Sequence, residues 1–216
     1  SKHLKLNRGC GRVVAPIKMK EVWDMNKTIF KSGALPSPPD ARDFTIAMAT
    51  KAMGGPVEQL NPYEYNHPYP YFVLDQLNTS MCVAFGMAAY KTTVEYDQTG
   101  KIIPFSTGQF YVDRFGFHQG EGMVTRDALT ALQKWGIVTH DDFPHSHGTY
   151  AELRPLFYGD KGMGQDALRP KAYPYRISSY YRLDVEGEDT AYNIKKALND
   201  GMLVATVYDI RESFWG

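Results

Sequence analysis

A polar turn that runs into a cysteine-headed helix constrains this chain more than any other stretch: residues 75–96 read Asp-Gln-Leu-Asn-Thr-Ser-Met-Cys-Val-Ala-Phe-Gly-Met-Ala-Ala-Tyr-Lys-Thr-Thr-Val-Glu-Tyr. From Cys82 the residues Val83, Phe85, Gly86, Ala89, Tyr90 and Val94 recur at three- and four-residue steps, which predicts a helix with one buried face. Asn78, Thr79 and Ser80 are its N-cap candidates. A thiol in the first turn of a helix meets unpaired backbone N–H groups and the positive end of the macrodipole. Both favour the thiolate, the form that acts as a nucleophile.

A lone cysteine on an apolar helix is more often packing than chemistry. Gln76, six residues before Cys82, adds a second group. Its side-chain amide and the Cys82 backbone N–H together make a candidate oxyanion hole, in which each donor is worth about 10²–10³ in rate. The pattern Gln-x-x-x-x-x-Cys-x-Ala-Phe, Gln76 to Phe85, resembles the active-site segment of papain-like cysteine peptidases. The resemblance makes Gln76 the oxyanion residue and Cys82 the nucleophile.

Further segments carry the same resemblance. Residues 35–43, Leu-Pro-Ser-Pro-Pro-Asp-Ala-Arg-Asp, are similar to the opening of the mature enzyme in prokaryotic and viral members. The runs 105–111, 122–137 and 142–144 follow the family's order, so the resemblance covers roughly residues 35–216. Thr79-Ser80-Met81-Cys82-Val83 stands where the family has Cys-Gly-Ser-Cys-Trp, so the local disulfide partner, the glycine and the tryptophan are missing. Within Gly120-Glu121-Gly122-Met123, Gly122 matches the first glycine of the pair that binds extended substrate, and Met123 replaces the second. Strand addition needs only exposed backbone groups, so this loop is either a peptide edge or a plain glycine turn.

The implied fold is α+β: a two-lobe papain-like fold, with a helical lobe around the cysteine-bearing helix and an incomplete antiparallel β lobe. The implied reaction is peptide hydrolysis through a thioester, with no metal or organic cofactor and a peptide or protein as substrate. The expected domains are an N-terminal arm or pro-like segment, residues 1–34, and a peptidase domain, residues 35–216. The arm and the tyrosine-rich loop 61–72 are candidate docking sites for a protein partner, though tyrosines in such a loop also pack on their own surface. Cys10, between two glycines, reads as a turn residue.

Along the rest of the chain, Ser106 and Gln109 have capping-box spacing and open a short helix through Tyr111 and Phe115 to Gly116. Thr125 reads as the cap of a helix that buries Ala128, Leu129, Leu132 and Trp135 and stops at Gly136. Residues 137–148 read as a loop. Its His140, Asp141, Asp142, His145 and His147 match no defined metal site, and the resemblance puts them on the helical lobe away from the catalytic face. Residues 175–183 and 202–208 read as strands flanking a helix at 190–199.

Lys plus Arg and Asp plus Glu are 24 each, so charge does not point to nucleic acid or an anionic membrane. No apolar run of about 18 residues suggests a span, and the N-terminus has no signal-peptide core; the expectation is a cytoplasmic or virion-associated protein. Two cysteines, Cys10 and Cys82, are no disulfide framework. A Cys-His peptidase needs an imidazole and a group that orients it, and the resemblance to papain-like enzymes implies these about 130–150 residues after the cysteine. Only 134 residues follow Cys82, and the last 69 contain no histidine. Three explanations stand: a natural chain that continues, a second chain that completes it, or a non-catalytic papain-like structural or interaction module, for example in a virus particle. A downstream Gly-His pair followed by Asn-Ser-Trp would favour the enzyme.

Overall fold

A computed structural model describes residues 33–35, 37, 40, 43, 45, 48, 74–114, 120–158, 164–183 and 189–206. Cys10 and the loop 61–72 lie outside the described residues, as does most of the N-terminal arm. The chain separates into units Ser1–Phe30 and Lys31–Gly216, and every described residue belongs to the second.

The elements in order are β1 (Ala34–Leu35), α1 (Cys82–Thr99), α2 (Thr107–Val112), β2 (Met123–Val124), α3 (Thr125–Lys134), α4 (Tyr150–Tyr158), α5 (Gln165–Ala172), a 3₁₀ turn (Tyr173–Tyr175) and α6 (Thr190–Asn199). α1 begins at Cys82 as the periodicity predicts, and the left-handed Gly100 at φ 67° closes it. Its cap is Met81 without a side-chain bond, not Asn78, Thr79 or Ser80. Thr79 turns back instead, donating its hydroxyl proton to the Gln76 carbonyl at 2.7 Å. The buried face keeps Val83 and Phe85 of the sequence reading but adds Ala84, Met87, Ala88, Lys91, Thr92 and Glu95, while Ala89, Tyr90 and Val94 are half-buried and Gly86 is exposed. Burial of Lys91 and Glu95 is possible because they pair with each other at 2.5 Å, and Lys91 Nζ also donates to the Arg176 carbonyl at 3.3 Å.

Ser106 accepts from the Gln109 N–H at 3.2 Å and starts α2, which ends at Val112. α3 has Val124, not Thr125, as its cap. Its inner side buries Ala128, Ala131 and Leu132, with Leu129 and Trp135 packed at the rim. α2 packs on α1 and α4, and α1 packs on α3 and β2. Phe110, Tyr111, Phe143, Leu153 and Phe157 fill the space between them.

α4 and α5 each carry an internal proline, Pro155 and Pro170, residues that break helix interiors on their own. Tertiary contacts hold α5 in place. Asp113, its side chain 1% exposed, accepts from Arg169 Nε at 3.2 Å and from Nη2 at 2.8 Å, and the Arg169 guanidinium lies 4.0 Å over the Trp135 ring.

The sheet corrects the antiparallel β lobe of the sequence reading. Among the described residues the one sheet is two-stranded and parallel, pairing Ala34 with Met123 and Leu35 with Val124. β1 straddles the boundary expected between residues 34 and 35. Residues 175–183 form no strand: the Tyr173–Tyr175 turn leads to a run that, among the described residues, makes a single parallel bridge, from Arg182 to Thr45. Residues 202–206 carry no strand either. The helix between them does form, with Asp189 Oδ1 capping the Ala191 and Tyr192 N–H groups.

Candidate active site

The turn before Cys82 is held by its own side chains. Asp75 Oδ1 accepts from the Leu77 N–H at 2.8 Å, and Gln76 Nε2 donates to the Thr79 carbonyl at 3.1 Å. Leu77 is left at φ 53°, a left-handed conformation that costs a side-chain-bearing residue about 1–2 kcal/mol. The strain is confined to the bend that brings Gln76 back towards the helix start. One Gln76 amide N–H is thus engaged, and an amide carries two.

Cys82 follows as the first residue of α1, a free, half-buried thiol. Met81 and Ser80 in front of it are buried. With no side chain capping the helix, its first N–H groups are left for another acceptor. Among the described residues no histidine hydrogen-bonds the Cys82 sulfur. His147, however, flanks the segment on both sides: Nε2 lies 2.7 Å from the Asp75 carbonyl, and its ring packs 5.2 Å from that of Phe85, one turn after Cys82. This places His147 of the histidine loop against the turn before Cys82, not away from it. His140 instead meets Ser146 at 3.2 Å, and Asp142 pairs with Lys171 at 2.7 Å. Among the described residues no three His, Cys, Asp or Glu side chains converge as a metal site.

Gly33 joins this turn to the glycine loop, a contact that sequence reasoning missed. A Cβ on Gly33 would sit 1.7 Å from the Ser80 carbonyl oxygen, so only glycine fits there. The Gly33 carbonyl accepts from the Met123 N–H at 2.6 Å. The backbone edge at Met123 is therefore occupied by β1, and the Met123 side chain is buried. Gly122, at φ 86°, is spoken for as well. Its N–H donates to Tyr111 Oη at 2.7 Å and its carbonyl accepts from Arg114 Nη1. Arg126 ties the segment after β1 to α3 through Asp43 at 2.9 Å and Asp40 at 3.4 Å, while Arg182 meets Asp43 at 3.1 Å.

The chain is similar in fold to xylellain, a cysteine protease from Xylella fastidiosa, with a TM-score of 0.56 and 21% sequence identity. The fold is what the two share. The likeness covers 79% of this chain and 63% of that one, so this chain spans less than two thirds of the xylellain chain's length. The proform of Amb a 11, a cysteine protease and major ragweed pollen allergen, is matched at a TM-score of 0.29 and 21% identity, over 37% of this chain and 25% of that one. No protein-family model matches the chain, and no curated protein sequence does. Among the described residues no helix is long and apolar enough to cross a membrane.

Two phenols of the domain, Tyr111 and Tyr158, carry an alkaline signature. Burial raises Tyr111 from 10.0 to about 12, with the Glu121 carboxylate adding to the rise. Burial and the Asp113 carboxylate raise Tyr158 likewise to about 12. Both phenols hold their protons in the folded chain when the unfolded chain has lost them. The stability they contribute is complete below pH 10 and falls between about pH 10 and 12. Melting temperature should drop across that window, and Tyr158→Phe should flatten the drop. An equal decline in the variant would refute this assignment for Tyr158.

Proposed function

We propose that this chain is a papain-like cysteine peptidase domain. The observation that carries the reading is the half-buried Cys82 thiol at the uncapped start of an 18-residue helix, in a fold similar to a cysteine protease. In the reaction Cys82 Sγ adds to the scissile carbonyl carbon, and the oxygen takes up negative charge. The Cys82 N–H and the free N–H of the Gln76 amide stabilise that charge. The C–N bond then breaks as the leaving amine takes a proton from water, and a second water hydrolyses the thioester, releasing the carboxylic acid and restoring the Cys82 thiol. Gly122 and Met123 line the approach, and a peptide pairs at Met123 where it displaces β1.

Alkylation of the full chain between pH 4 and 9, mapped by mass, tests this with Cys10 as internal control. Cys82 should react with iodoacetamide at least about tenfold faster than Cys10 at pH 6, and faster still with a peptidyl chloromethyl ketone. Equal reactivity of the two thiols would instead favour a non-catalytic structural or interaction module.

A further inference from the structure

We propose that Arg114 is a positioning residue for peptide recognition: its guanidinium, clamped on the carbonyls of Gly120 and Gly122, sets the backbone path that presents Met123 to substrate. The inference rests on the peptidase reading of Cys82.

Arg114 follows α2 and is 7% exposed. Nη1 donates to the Gly122 carbonyl and Nη2 to the Gly120 carbonyl at 2.7 Å, so one planar group fixes two peptide units on either side of Glu121. Glu121 is held from both of its oxygens: Oε2 accepts from Tyr111 Oη at 3.0 Å and Oε1 from the Tyr150 N–H at 2.8 Å. The rings of Tyr111 and Tyr150 lie 4.9 and 4.0 Å from the guanidinium carbon and hold its plane. Only arginine has a rigid fork of donors that reaches two carbonyls at once; lysine is a point charge on a flexible stem.

A buried cation is a poor choice for stability alone, because desolvation offsets much of what its contacts return. This one even leaves Nε buried without a partner. What the arrangement does supply is geometry. Gly122 must keep φ near 86° while its Cα passes the Gly33 carbonyl, which a Cβ would approach to 2.7 Å. Met123, the next residue, holds its N–H at the edge of β2, where it donates to the Gly33 carbonyl until a peptide displaces β1. A peptide bound there inherits whatever position the clamp imposes, and a displacement of about 1 Å can cost a hundredfold in reaction with a nearby nucleophile.

The test uses the full chain, with and without Gly33→Val, and compares Cys82 alkylation by a peptidyl chloromethyl ketone with that by iodoacetamide. The ratio of the two rates reports peptide recognition and cancels changes in the thiol itself. Arg114→Met should lower the ratio about tenfold or more, Arg114→Lys by less, and Tyr111→Phe in the same direction, each with an unchanged iodoacetamide rate. If Arg114→Met does not fold, the other two variants decide. Parental ratios in Arg114→Lys and Tyr111→Phe, or iodoacetamide rates that fall in parallel, would overturn the role given to Arg114. A parent chain with no peptide preference at all would overturn the peptidase reading and this inference with it.

Discussion

Replacing Gly33 with valine should expel β1 from the edge of β2 and speed capture of Cys82 by a peptidyl chloromethyl ketone, relative to iodoacetamide, by about tenfold. A side chain at residue 33 has no room, since its Cβ would fall 1.7 Å from the Ser80 carbonyl oxygen. That oxygen belongs to the backbone just before Cys82, so a rotamer change cannot relieve the overlap. The strand must leave or the turn before Cys82 must move. Leaving is cheaper, because β1 is two residues long and contributes about 0.5–1.5 kcal/mol for each backbone hydrogen bond. Roughly 1.4 kcal/mol of released competition corresponds to the tenfold gain. Hydrogen exchange at the Met123 amide gives an independent reading: it should be protected in the parent and exchange freely in Gly33→Val. A Met123 amide that stays protected in the variant, with the rate ratio unmoved, would show that β1 does not guard this edge.

Gly136→Ala should destabilise the fold by about 2–5 kcal/mol, a large part of the 5–15 kcal/mol by which domains are stable. Two costs coincide there. The residue ends α3 at φ 81°, where alanine loses about 1–2 kcal/mol. Its Cβ would also lie 2.1 Å from the Ala172 carbonyl oxygen, and Ala172 is fully buried at the end of α5. The close approach lets α3 and α5 meet, and Ile177 follows by donating its N–H to the Leu132 carbonyl at 3.3 Å. Gly100→Ala is the matched control: its φ is 67°, and a Cβ there meets nothing within 4 Å. Urea melts of the two variants should differ by at least about 1–3 kcal/mol, the overpacking component alone. Equal losses would mean that backbone conformation alone accounts for the glycine at 136.

The sequence was most legible where structure is set by residues a few positions apart. The start of α1 at Cys82, the Ser106–Gln109 contact, the stop at Gly136 and α6 over Thr190–Asn199 all follow from spacing and caps. It was least legible where a distant partner overrides local preference. α4 and α5 form despite Pro155 and Pro170, with Asp113 and Trp135 fixing Arg169 from outside the helix. Aromatic and β-branched residues at 175–183 favoured a strand, yet among the described residues this run pairs only through the bridge to Thr45, and a strand needs a neighbour.

The candidate site divides along the same line. Sequence alone put a thiol at a helix start and an amide six residues before it, because both lie on one short stretch of chain. It also marked Gly122 and Met123 as residues of interest. Only the tertiary structure decided that β1 occupies the Met123 edge, that His147 reaches the turn before Cys82, and that Arg114 grips the glycine loop between two tyrosines. Those contacts join groups far apart in the chain, chosen by which backbone carbonyls and N–H groups remain unpaired once the helices have packed. Local periodicity carries no record of that choice.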